Sequence, residues 1–202
     1  MDTTSLSEAL PKRALPQTVP EKIAAAVAFK AEGNAFFKEG DLRKAAKSYK
    51  MVFLYMNGLH GSTSDMKGFF TAMGADSRWG GTDKNNKIGD AGQEEEVKRI
   101  KIDANSNLAL VYCKIGDGEK ALKYANDALR LDPSNSKAFY RKCLALIHLG
   151  NYSAALPLLE EANRGNPSDT AVARTLRDVK EKMKEERKRN KEKEREMFGG
   201  KF

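Results

Sequence analysis

Apolar and small residues recur along this chain at helical spacing, and two blocks of them superpose when shifted by 34 residues. Leu108, Ala109, Tyr112, Gly116, Ala121, Ala128 and Pro133 map in order onto Lys142, Cys143, Leu146, Gly150, Ala155, Ala162 and Pro167. An earlier block carries Gly33, Phe36, Gly40, Ala45 and Tyr49 in the same arrangement. Each block reads as two helices, A and B, with a turn at the central glycine. A small residue at the eighth and twentieth positions lets A and B approach closely. A proline after B ends it in the second and third blocks, because its ring cannot continue the hydrogen-bond ladder. In the first block, helix A is expected over 21–38 and helix B over 41–55.

The pattern then breaks. Gly40 and Gly116 are separated by one period plus 42 residues, and the intervening stretch is rich in glycine, serine, asparagine and aspartate. The expected organisation is a disordered leader over 1–20, a first repeat over 21–57 and an insertion loop over 58–96. A second repeat over 97–133 and a third over 134–167 follow. A capping and charged extension helix over 168–196 and a tail over 197–202 complete the chain. The insertion carries Phe69, Phe70, Met73 and Trp79, which are candidates for docking elsewhere. Val172, Leu176, Val179 and Met183 form a stripe able to cover the open end of a stacked array. No apolar residue appears over 184–196, so this part should project into solvent as a fraying helix supported by pairs such as Glu185–Arg189. Pro157 sits inside helix B of the third repeat, where a local kink is expected.

Composition narrows the class. Of 202 residues, 32% are charged and 8% aromatic, which favours a helical array with a large solvated surface over a compact α/β enzyme. Cys113 and Cys143 have no metal or redox spacing and read as packing thiols in a reducing compartment. No run approaches the roughly 18 apolar residues of a membrane span, and the N-terminus has no secretory stretch, so a cytoplasmic protein is expected. Asn151 would be a glycosylation acceptor only on export. The net charge is +8, and residues 180–201 hold ten basic and six acidic residues. Interspersed acids and the lack of aromatic residues before Phe198 argue against nucleic-acid binding. The lack of apolar anchors argues against a calmodulin-type or membrane-surface helix.

Asp83, Asn85 and Glu94 echo a calcium loop, but Lys87 stands at a ligand position and Ile88 replaces the required glycine. His60 and His148 have no partner at metal or triad spacing. No nucleophile–base pair or phosphate loop stands out. Neither an enzyme, a metal nor a cofactor is expected.

The chemistry lies on helix A. With Ala26, Ile102 and Ser136 as position one and 100° per residue, positions 4, 7, 8 and 11 share the face that packs internally. Positions 2, 5, 6 and 9 share the opposite face, which lines one concave groove in a stacked array. That arc holds Lys30 and Asn34 in the first repeat, Asn107 in the second, and Lys137 and Arg141 in the third. Ammonium and guanidinium groups give charge-assisted hydrogen bonds to carboxylates, and amides add donors without further like-charge repulsion. Ala31, Leu110, Leu144 and Ile147 lie beside them and can accept a short apolar side chain. One acid, Asp103 at position 2, opposes the trend.

The 34-residue period with these small residues and closing prolines is the signature of the tetratricopeptide repeat, a stacked helix–turn–helix unit. The implied fold is an all-α solenoid of three repeats with a C-terminal capping helix. Lys30-Ala31-Glu32-Gly33-Asn34, Asn107 and Lys137-Ala138-Phe139-Tyr140-Arg141 resemble the dicarboxylate clamp of co-chaperone repeat domains. In that family the clamp holds the C-terminal Glu-Glu-Val-Asp peptide of heat shock protein 90 and 70 chaperones. The resemblance implies that Lys30, Asn34 and Asn107 hold the terminal α-carboxylate. It further implies that Lys137 holds the last aspartate side chain and that Arg141 steadies the peptide further in.

From about Ala26 to Phe198 the layout is similar to large-immunophilin repeat domains, and closer to the tetratricopeptide repeat protein 9 family. Both share an insertion after the first repeat and a charged final helix ending here in Met197-Phe198. Only some twenty residues precede the first repeat, too few for a prolyl isomerase domain, so that activity is not carried over. The expected function is a co-chaperone-type adaptor whose insertion and final helix are free for a second protein partner. The alternative is a generic scaffold that binds an internal acidic segment of a client.

Overall fold

The computed structural model describes residues 16–57, 59 and 87–198. Residues 1–15 of the expected leader, most of the insertion with Phe69, Phe70, Met73 and Trp79, and the last four residues lie outside these. The described residues form helices α1 (Val19–Glu39), α2 (Leu42–Met56), α3 (Ala91–Ile115), α4 (Gly118–Leu131), α5 (Ser136–His148), α6 (Tyr152–Gly165) and α7 (Thr170–Phe198).

The repeated sequence pattern is a repeated set of helix starts and stops. Gly40, Gly116 and Gly150 adopt φ values of 84°, 89° and 72°, the left-handed conformation that lets helix A stop and the chain reverse. The next residue then opens helix B each time. Asp41, Asp117 and Asn151 accept hydrogen bonds from the backbone N–H groups of Lys44, Lys120 and Ala154. α1 begins with a full capping box, in which Thr18 and Glu21 satisfy each other's backbone N–H groups.

The small residues serve the packing expected of them. Ala45, Ala109, Ala121, Cys143 and Ala155 are wholly buried. α1 packs on α2, α3 on α4, and α5 on α6, while α3 also adjoins α1 and α5. The three A helices are thus neighbours, which is what places their outward arcs on one side of the molecule. Both cysteines are free and buried, and burial pushes each thiol up to about 11. They are neutral packing groups.

The insertion is shorter than its composition suggests. α3 starts at Ala91, capped by Asp90, so the polar stretch ending at Glu96 is helical rather than loop. Val97 and Ile100, 4% and 1% exposed, anchor this extra length among Val19, Ile23, Val52 and Met56 of the first helix pair. Leu59 and Ile88, near the two ends of the insertion, are buried in the same cluster.

α7 closes the other end. Val172 and Val179 are buried, and Leu176 and Met183 partly so, against Phe139, Tyr140, Ile147, Tyr152 and Leu156. Asp169 accepts hydrogen bonds from the N–H groups of Ala171 and Val172 at its start. Residues 184–198 are exposed throughout and helical to Phe198, projecting from the packed part of α7 as expected. α6 runs through Pro157 as one helix. Pro157 and Ser153 are both exposed, so water can replace the hydrogen bond that the ring denies the Ser153 carbonyl.

Candidate groove on the A helices

Lys30 and Asn34 lie one turn apart on α1, Asn107 lies on α3, and Lys137 and Arg141 lie one turn apart on α5. Separate hydrogen bonds and one ion pair tie several of these side chains across neighbouring helices. Asn34 Oδ1 accepts from Asn107 Nδ2 at 3.2 Å and from the Tyr49 hydroxyl at 2.7 Å. Lys30 Nζ donates to Asp103 Oδ2 at 2.8 Å, tying α1 to α3. Arg141 donates through Nη1 to the buried Ser106 hydroxyl, tying α5 to α3. Lys137 is exposed. It stands one helical turn before Arg141, on the same side of α5.

The local sequence explains how Asn34 is held. A Cβ on Gly33 would lie 2.6 and 2.7 Å from the Tyr49 ring, so only glycine lets that ring lie against α1. Tyr49 is 2% exposed, and burial raises its pKa while the positive charge of Arg141 opposes the rise. The hydroxyl therefore stays protonated and donates to Asn34. Glu32 is drawn off toward α2, where it accepts from the Ser48 hydroxyl at 3.1 Å.

Arg141 is half-buried, and desolvation lowers its pKa, opposed by Cys113, Tyr49 and Asp103. A guanidinium remains charged through such a shift. The arrangement therefore has three cations against one acid, with two amides and a phenol between them. It can receive an anion with more than one acceptor group.

Two participants, Ser106 and Tyr49, and one partnership lie beyond the sequence reading of this arc. Ser106 stands at position 5 of the second repeat, on the arc itself, and its place there was the available signal. Tyr49 was visible only as a repeat position, because its contact with Asn34 crosses from α2 to α1. The partnership of Asp103 with Lys30 joins residues 73 apart, and neither local spacing nor charge announces it. Tyr140, also on the arc, bonds Thr175 of α7 at 2.8 Å instead.

Comparisons agree with this geometry at the level of fold. Residues 103–179 match the tetratricopeptide repeat family model. The chain is similar to the peptidyl-prolyl cis-trans isomerase FKBP42 of Arabidopsis thaliana, with 27% identity over 189 residues, 91% of this chain and 44% of the relative. It thus spans less than half the length of that relative. The C-terminal TPR-containing domain of an FK506-binding protein of Plasmodium falciparum is 27% identical, with a TM-score of 0.65 over 85% of this chain and 96% of that one. The second TPR domain of human RPAP3, solved with the HSP70 peptide SGPTIEEVD, has a TM-score of 0.54 at 23% identity, over 79% of this chain and 98% of that one. The fold is an all-α tetratricopeptide repeat solenoid, related to the repeat domains of FKBP-type immunophilins. No helix among the described residues is long and apolar enough to cross a membrane.

Proposed function

We propose that this solenoid is a co-chaperone-type adaptor that captures the free C-terminal end of an acidic peptide, of the Glu-Glu-Val-Asp kind carried by heat shock protein 90 and 70 chaperones. The single observation that carries the reading is the set of cross-helix polar contacts between adjacent A helices, Lys30 to Asp103 and Asn34 to Asn107 between α1 and α3, and Arg141 to Ser106 between α5 and α3. Contacts of this kind between successive A helices are what a shared inner face of the stack would bring together. In this reading Lys30, Asn34 and Asn107 receive the terminal α-carboxylate, Lys137 the last aspartate side chain, and Arg141 a group further in. The RPAP3 complex, whose peptide ends in Glu-Glu-Val-Asp, is a precedent on the same fold. The insertion and the exposed end of α7 are left free for a second protein.

The groove's work is recognition. Charge-assisted hydrogen bonds fix a chain end, and a flexible peptide pays for its ordering on binding, so micromolar rather than nanomolar affinity is expected.

Calorimetry with the peptide SGPTIEEVD against the full chain tests this. Binding should occur, weaken as added salt screens the exposed groups, and fall at least tenfold in a Lys137→Ala, Arg141→Ala double variant. Amidating the terminal carboxylate should abolish it. Equal binding of the amidated peptide would instead favour a scaffold for internal acidic segments. No binding of either form would sink the reading.

A further inference from the structure

Asp103 is out of character with its surroundings. It stands on the same outward arc of α3 as Asn107, one turn earlier, and is the acid among three cations. Its side chain is 47% exposed, whereas the Lys30 side chain it holds is 24% exposed, with Nζ to Oδ2 at 2.8 Å. The field of Asp103 also reaches Arg141 on α5. A carboxylate of this chain therefore already sits where the proposed groove would seat a carboxylate of its ligand.

We infer that Asp103 is a built-in competitor, occupying Lys30 in the free protein and setting how strongly the groove takes an acidic chain end. This rests on the function proposed above. An incoming α-carboxylate has to take Lys30 from Asp103 and then remain beside the displaced negative charge. Both effects weaken binding, and both disappear if the Asp103 charge is removed while its shape is kept. The groove is thereby tuned toward ligands that bring two carboxylates. A ligand with one carboxylate gains too little to displace Asp103, whereas a second carboxylate also engages Lys137 and Arg141. Asp103 is a specificity-determining residue in this account.

The competing explanation is that Asp103 merely staples α1 to α3. The two differ in sign. A staple, when cut, lowers stability and leaves peptide affinity the same or worse, whereas a competitor, when removed, raises affinity.

The test uses the full chain as wild type, Asp103→Asn and Asp103→Ser, with calorimetry on SGPTIEEVD and on its C-terminal amide. Thermal melts of each variant accompany it, together with mass-spectrometric mapping of Lys30 acylation in the free protein. Asp103→Asn should bind the free-acid peptide about two- to fivefold tighter, the scale of one exposed ion pair. Lys30 should also acylate faster in that variant. Binding by Asp103→Asn where wild type is silent would sink the proposed function for this protein, and this inference with it. If wild type binds and both variants bind no tighter, the inference is overturned while the proposed function stands. If wild type and both variants fail to bind, the proposed function itself falls and this inference falls with it.

Discussion

Gly33 and Tyr49 show how much can depend on one missing methyl group. The Tyr49 ring lies where a Cβ on residue 33 would be, and its hydroxyl holds the Asn34 amide in place. Gly33→Ala gains about 1 kcal/mol of helix propensity. It also forces a buried ring away from rigid backbone, which costs about 1–3 kcal/mol. A net loss of about 1 kcal/mol is expected in urea unfolding, with weaker binding of SGPTIEEVD as Asn34 loses its orienting donor. Tyr49→Phe, which keeps the ring and drops the hydroxyl, should reproduce the binding defect without the packing cost. Undiminished stability in Gly33→Ala would mean that the helices simply part to admit the methyl group.

At the scale of elements, α7 combines two regimes in one continuous helix. Its first half is held by burial, with Val179 1% exposed and Lys180 paired to Glu160 of α6 at 2.8 Å. Its second half has only solvated side chains and weak pairs such as Lys188–Glu192 at 3.9 Å. Val179→Ala removes two buried methyl groups and leaves a small cavity, so about 2 kcal/mol should be lost in denaturant unfolding. Deleting 185–202 removes no buried side chain among the described residues and should leave the midpoint within experimental error. A large drop on that deletion would show that the distal half packs on something. α3 makes a related point at its other end, where Val97 and Ile100 join the first core cluster and hold the extra helical length.

Across the whole molecule, the same carboxylate-capped turn recurs and makes acid stability a collective property. At the start of α2, the Lys44 backbone N–H and then its ammonium hold the Asp41 carboxyl below its ordinary range. The Lys120 ammonium and then its backbone N–H do the same for Asp117 at the start of α4. Asp132 is lowered by Ser134 and Asn135 in the turn before α5. A carboxyl lowered in the folded state contributes stability above its unfolded pKa, near about 4, and loses it as pH falls through the folded value. The melting temperature should therefore be level above about pH 5 and fall below about pH 4. An Asp41→Asn, Asp117→Asn double variant keeps side-chain caps that cannot titrate, and its melting curve should fall less steeply in acid. Parallel curves for the two proteins would place the acid sensitivity elsewhere.

The sequence by itself determined the solenoid. A 34-residue period, its small residues and its turn glycines are local in consequence, since each acts on its own helix or on the next one along the chain. That is also why Lys30, Asn34, Asn107, Lys137 and Arg141 could be assigned to one arc: helix geometry fixes which way each side chain points once the helix is granted. Residues 91–96 read as loop from sequence because they follow a glycine-rich stretch and carry no large apolar residue to mark a helical face, whereas the support of this helix comes from Val97, Ile100 and the cluster beyond them. What only the tertiary structure decided is which polar groups are already engaged. The claims of Asp103 on Lys30, Ser106 on Arg141 and Tyr49 on Asn34 arise where separate helices meet. The distances that create them depend on how the repeats stack, which no period along the chain encodes.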